Sequence, residues 1–207
     1  LGGVSHNSVA VEFPNHVVVV EAPLGEKRSL SVIDAISKLI PDKPIRFLIN
    51  THQHHDHIGG LRTYMHIGAT IITHWKNYEF YTRDVLNYAP RSMSPDMLSM
   101  WPPTELAEGY QYETVRENYW ISSNQRSMHL SYVHPLKHVE GMLVAYLPTE
   151  KLLIQADLFN RLDDLPSESA VQLRRHVKVL GLEVEKIIPI HGNPVSWKDF
   201  VQWLDSE

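Results

Sequence analysis

Five potential metal ligands, four histidines and an aspartate, fall within six residues, in the run His52-Gln53-His54-His55-Asp56-His57. Three imidazoles and a carboxylate, His52, His54, His57 and Asp56, suit a divalent ion of borderline softness, zinc foremost. Such an ion supplies Lewis acidity and a water activated near neutral pH. Ile45-Arg46-Phe47-Leu48-Ile49 leads into the cluster and reads as a strand buried on both faces. Alternate residues beyond that strand face one way, so His52 and His54 can bind one ion together. Asp56 and His57 lie where the chain turns toward a helix and could reach a second ion. The same alternation turns His55 away, to a packing or supporting role.

A closed structural zinc needs only four ligands, so donors elsewhere imply two metals. His138 precedes Glu140-Gly141, Asp157 ends Leu152-Leu153-Ile154-Gln155-Ala156, and His191 ends Ile187-Ile188-Pro189-Ile190 before Gly192. The separations are 81 (57 to 138), 19 (138 to 157) and 34 (157 to 191) residues. Each donor ends or adjoins an apolar run, so a layered fold could gather all of them at one edge. His134 competes with His138, Asp157 could be a turn carboxylate, and His191-Gly192 could simply close a strand. His6, His16, His66, His129 and His176 read as ordinary surface or core histidines, while His74 could face the site.

The elements that must carry these donors follow from periodicity. Val9–Phe13 and Val17–Glu21, joined by Pro14-Asn15-His16, read as a hairpin. Leu30, Ile33, Ile36, Leu39 and Ile40 recur at helical spacing until Pro41 stops them. Gly59-Gly60, a short helix over Leu61–His66 and a strand over Ala69–Thr73 complete a βαβ unit and an α/β reading. Residues 75–120, rich in aromatics, Pro and Met, read as a helical excursion and an irregular connection near the site cleft. Its rings and methionines are expected in the core more than on a substrate wall. Beyond it come a strand from Met128, a hairpin of Met142–Leu147 with Lys151–Gln155, a helix over Ala170–Leu180, a strand over Lys186–Ile190 and a helix over Trp197–Leu204.

Composition narrows the function classes. The 207 residues include 13 His and no Cys, which excludes thiolate metal sites, Cys nucleophiles and redox thiols. A net charge of −5 without any Lys/Arg cluster argues against a nucleic-acid partner. No apolar run approaches the roughly 20 residues of a membrane helix. The expected partner is therefore a small-molecule substrate. The start at Leu1-Gly2-Gly3 reads as a processed product and favours a periplasmic or secreted location over a cytoplasmic one.

These residues carry a resemblance. Thr51-His52-Gln53-His54-His55-Asp56-His57-Ile58-Gly59-Gly60 resembles the ligand motif of the metallo-β-lactamase superfamily. His138-Val139-Glu140-Gly141, Gln155-Ala156-Asp157 and Ile190-His191-Gly192 follow in family order. The resemblance spans roughly residues 5–204 and implies an αββα sandwich, two mixed sheets flanked by helices, as a single domain over 1–207. It implies one zinc on His52, His54 and His138, a second on Asp56, His57 and His191, and Asp157 bridging both. Glu21-Ala22-Pro23 departs from the family's Asp-Thr-Gly, and the first strand of the family domain is expected to lie before Leu1. The implied enzyme is a di-zinc hydrolase that attacks a carbonyl bond (β-lactam, lactone, ester or thioester) with a metal-bridging hydroxide oriented by Asp56. The alternative is an Fe(II)-dependent sulfur dioxygenase on the same fold, with iron in place of zinc.

Overall fold

The computed structural model describes residues 5–87, 94–101 and 109–206. They form two compact units, one within residues 8–114 and the other of residues 115–206 together with residues 5–7. Each unit is a mixed sheet covered by helices, in agreement with the expected layered α/β class.

In the first unit the sheet order is β1-β2-β3-β4-β5. β1 (Val9–Glu12) and β2 (Val17–Val20) form the antiparallel hairpin. β3 (Ile45–Ile49) and β4 (Thr70–His74) then add in parallel. All four valines of β2 are fully buried, so both faces of this strand are covered. Helices α1 (Glu26–Leu39) and α3 (Leu61–His66) close one face, packing Val32, Ile36, Leu61 and Tyr64 with Val17, Val19, Leu48 and Ile71. A further single turn, α2 (His55–Ile58), lies between β3 and α3 and interrupts the loop that the alternation pattern suggests.

Gly59-Gly60 exists because two backbones meet there. A Cβ on Gly59 would stand 2.1 Å from the Leu24 carbonyl oxygen, and one on Gly60 would stand 1.9 Å from Ser29 Oγ. Gly60 N–H donates to Ala22 O and Leu24 N–H to Asp56 O, each over 2.9 Å, which ties the histidine turn to the end of β2.

The stretch 75–120 departs from its sequence reading. Its first part is helical: a 3₁₀ turn Trp75–Asn77, α4 (Tyr78–Phe80), a π turn Tyr81–Val85, and later α5 (Met97–Met100). Its end is not irregular, because β5 (Tyr112–Val115) and β6 (Asn118–Ser122) are strands, each too short to announce a period. Tyr81, Val85, Leu86 and Leu98 enter the first unit's core, as expected of the apolar residues. Arg62 binds the stretch in place through Asp96, at 2.5 Å from Nε and 3.1 Å from Nη2, and through the Asn87 carbonyl. Burial works to raise the Asp96 pKa, but the Arg62 and Ser99 hydrogen bonds hold it well below the usual carboxylate range. Positions 88–93 and 102–108, with Tyr88, Pro90, Met93, Pro102 and Pro103, lie outside the described residues.

The second unit's sheet runs β11-β10-β9-β8-β7-β6. β6, β7 (Ser127–Tyr132), β8 (Leu143–Leu147) and β9 (Leu152–Gln155) are successive antiparallel neighbours. β10 (Lys186–Pro189) lies parallel to β9, a pairing that needs a crossover, which α6 (Glu168–Val179) supplies. β11 (Val195–Ser196) and α7 (Trp197–Leu204) end the unit. Leu173, Val177 and Phe200 pack on Val144, Tyr146, Leu153 and Ile187. Among the described residues no helix is long and apolar enough to cross a membrane.

Candidate metal centre

In the first unit the donors lie immediately beyond β3. His52 is 1% exposed and His57 is fully buried. His54 keeps extended backbone at the N-terminal cap of α2 (φ −62°, ψ 144°), and Asp56 and His57 follow in its single turn. The rings of His52 and His54 meet edge-on at 4.5 Å, and those of His52 and His57 lie 4.3 Å apart. Asp56 Oδ2 is 3.6 Å from His57 Nε2. All four expected donors of this run therefore converge. His55, the first residue of α2, is exposed, so it is neither packed nor a support, contrary to the sequence reading.

A residue that the motif does not announce organises this turn. Glu21 is fully buried one residue beyond β2, at φ 76°, where a side chain other than Gly, Asn or Asp costs strain. Its Oε2 accepts from His57 Nδ1 at 2.7 Å, and its Oε1 accepts from Thr51 N–H at 2.7 Å and Asn50 Nδ2 at 3.3 Å. Burial pushes the Glu21 pKa up, but the His57 bond and the neighbouring imidazoles outweigh it and hold the pKa below its ordinary value. An ionised carboxylate only accepts, so the proton of neutral His57 sits on Nδ1 and Nε2 presents its lone pair. This carboxylate–imidazole pairing is the usual support of a metal-ligating histidine. Tyr81, whose phenol burial keeps protonated, donates to Asn50 Oδ1 at 2.5 Å. Asn50 Nδ2 in turn donates to His57 O at 3.2 Å, which closes the turn. His74 is buried at the end of β4, and its Nδ1 faces Lys76 N at 3.4 Å.

In the second unit the three remaining donors come from three loop ends. His138 lies between β7 and β8, Asp157 two residues beyond β9, and His191 two residues beyond β10. Asp157 Oδ2 faces His138 Nε2 at 3.1 Å, and Asp157 Oδ1 faces His191 Nε2 at 3.1 Å. The competing His134 stacks on Tyr132 and pairs with Glu117 at 3.7 Å instead. His191 Nδ1 donates to the Ser5 carbonyl at 3.0 Å, which again leaves Nε2 with its lone pair in the neutral ring. A lone pair opposed to a carboxylate oxygen at that distance is repelled unless a proton or a metal ion lies between them. The donor set thus fits a metal.

His6, read as an ordinary histidine, is brought beside His191: the ring centroids are 4.1 Å apart. The second unit's donors line a cavity of about 970 Å³, whose further walls include Leu158, Asn160, Arg161, Leu165, Asn193 and Trp203. Residues 158–169 and the His191 loop supply most of these walls. Gly192, at φ 130°, is required there, since a Cβ would stand 2.3 Å from the Asn160 carbonyl oxygen.

A family model described as the metallo-beta-lactamase superfamily matches residues 1–191. Among curated proteins, a linear primary-alkylsulfatase of Pseudomonas sp. (strain ATCC 19151) is 19% identical over 93% of this chain. The chain spans only 42% of the length of that relative. Among solved structures, a metallo-beta-lactamase from Pontibacter korlensis aligns with a TM-score of 0.72 at 14% identity, over 96% of this chain and 85% of that one. FIM-1 metallo-beta-lactamase from Pseudomonas aeruginosa, in a mono-zinc form, aligns at 0.67 and 16% identity, over 96% of this chain and 81% of its own. At such identities these structures bear on the fold alone.

Proposed function

Because the chain belongs to the metallo-beta-lactamase superfamily, we propose that it is a di-zinc hydrolase of a small-molecule substrate with an activated carbonyl: a β-lactam, lactone, ester or thioester. The observation that carries this reading is Asp157, whose two oxygens each face a different imidazole, His138 and His191, as a carboxylate shared by two ions would. In the first unit His52, His54, Asp56 and His57 would serve as metal ligands, and in the second His138, Asp157 and His191 would. When bound, the ions would polarise the scissile bond and lower the pKa of a water toward neutrality. Asp56 orients the attacking water, and Glu21 keeps His57 in the tautomer that ligation needs. Asn193 and Arg161 offer donors to the substrate's polar groups, and Leu158 and Leu165 offer apolar contact.

A second reading is hydrolysis of a sulfate ester, favoured by the likeness to an alkylsulfatase and by a cavity that combines Arg161 with apolar walls. Nothing in the relatives favours the iron dioxygenase alternative. The test is a panel of chromogenic β-lactam, lactone, ester, thioester and aryl sulfate substrates against the zinc-loaded protein. Hydrolysis that a chelator abolishes and zinc restores is the expected result, and the preferred substrate separates the two readings. A purified chain that takes up no metal would overturn both.

A further inference from the structure

Ser5-His6-Asn7 enters the second unit as a short arm against the end of β10. Asn7 N–H donates to Ile190 O at 2.8 Å, and Asn7 Nδ2 donates to Pro189 O at 3.0 Å and Gly192 O at 2.7 Å. Three bonds from one residue fix the arm to both sides of His191. Ser5 then addresses two imidazoles at once: its carbonyl accepts from His191 Nδ1 at 3.0 Å, and its Oγ lies 2.7 Å from His6 Nδ1. Both rings are thus held by Nδ1, the mode in which outer partners orient metal-ligating histidines.

The rings of His6 and His191 pack edge-on, with centroids 4.1 Å apart at 65°. His52 and His54, the paired donors of the first unit, repeat that geometry at 4.5 Å and 75°. His6 is 93% buried by the 7% exposure of its surface, unusual for a histidine on a polar arm. Ligand nitrogens of His6 and His191 lie within 4.8 Å of one another. Two nitrogens on one tetrahedral zinc lie about 3.3 Å apart, a separation that a small side-chain rotation reaches.

We propose that His6 is a further metal ligand, joining the ion bound by His191. The proposal rests on the di-metal reading above and extends it by one donor. The arm would then serve two purposes: Asn7 anchors the loop that presents His191, and His6 adds an imidazole to the same ion.

The experiment is a zinc titration of the full chain against a chromophoric chelator, with metal content measured in parallel, for wild type, His6→Ala and His6→Cys. A ligand role predicts that His6→Ala loses affinity for one of two zinc ions by about tenfold or more and leaves the other unchanged. His6→Cys should restore most of that affinity, because a thiolate ligates zinc and a packing role would gain nothing from it. In cobalt-loaded wild-type protein, the His6 imidazole resonances should show strong paramagnetic shifts, a readout that needs no variant to fold. Two unchanged zinc affinities in folded His6→Ala, or an unshifted His6 in the cobalt protein, would overturn the assignment of His6 alone. A wild-type chain that binds no metal would instead overturn the metal reading beneath it.

Discussion

The two units build their donors in opposite ways. The first draws four of them from six consecutive residues, buries His52 and His57, and braces the turn with a buried side-chain carboxylate. The second draws His138, Asp157 and His191 from three loops, leaves them partly open to solvent, and braces His191 through a backbone carbonyl. Yet each is organised by one carboxylate just beyond a buried strand, with its backbone at positive φ: Glu21 at 76° and Asp157 at 61°. In the first unit that carboxylate stands behind the candidate ligands; in the second it stands among them. A locally encoded site can afford burial because the strand and turn fix it, whereas a dispersed one stays accessible and forms the wall of a cavity.

The strongest way to break this comparison is to remove one ligand from each unit. His57→Ala strips the buried Glu21 carboxylate of its imidazole donor. It should cost about 3 kcal/mol or more of metal-free stability, besides weakening metal binding. His138→Ala removes an exposed ring and should leave metal-free stability within about 0.5 kcal/mol, while metal affinity falls by more than about a hundredfold. Urea unfolding in the presence of chelator measures the first quantity. Equal stability losses in the two variants would show that burial does not separate the units.

A subtler change addresses the braces. Glu21→Gln keeps the shape but removes the charge that holds His57 Nδ1–H, and should weaken zinc binding by about 10–100-fold. Ser5→Ala keeps the backbone carbonyl that holds His191 and should leave that brace intact. Zinc competition titrations of the two variants would sharpen the contrast between a side-chain and a backbone support.

Imidazoles outside the donor sets extend it. His176, on α6, is held by Ser131 Oγ at 2.8 Å. Burial first, then the neighbouring His129 and His134, lower its pKa to about 4. The unfolded chain therefore takes up a proton near pH 6.5 that the folded chain refuses until about pH 4. Stability contributed by the neutral ring is present above pH 6.5 and falls on acidification, by about 2 kcal/mol between pH 7 and pH 5. His176→Gln should flatten that part of the pH dependence in urea melts of the metal-free protein. An unchanged slope would place the acid sensitivity elsewhere.

How much of this was legible follows the same division. The hairpin, β3, β4 and the donor run were readable because alternation, apolar runs and ligand spacing are all local signals. His138, Asp157 and His191 each looked like a strand end, and only their order within a family pattern joined them. Glu21 was noticed as a departure from that pattern, yet an acidic residue directly after four buried valines is itself a sign of a braced carboxylate. His6 had no such sign, because it packs on His191 while Asn7 bonds to residues more than 180 positions away. β5 and β6 were hidden by shortness and by the aromatic composition around them.

The smallest effect tests whether the second unit's scaffold and its donors are separable. Ser196 caps α7, its Oγ accepting from Asp199 N–H at 3.0 Å, and α7 buries Phe200 and Leu204 against the sheet. Ser196→Ala should cost about 1 kcal/mol of stability, the usual loss of a serine cap. Because the donors are tied to strand ends by backbone bonds such as Asn7 N–H to Ile190 O, zinc affinity should not change. A parallel fall in affinity would mean that the loops draw their geometry from the helix layer, and the open site would then be as dependent on its core as the buried one.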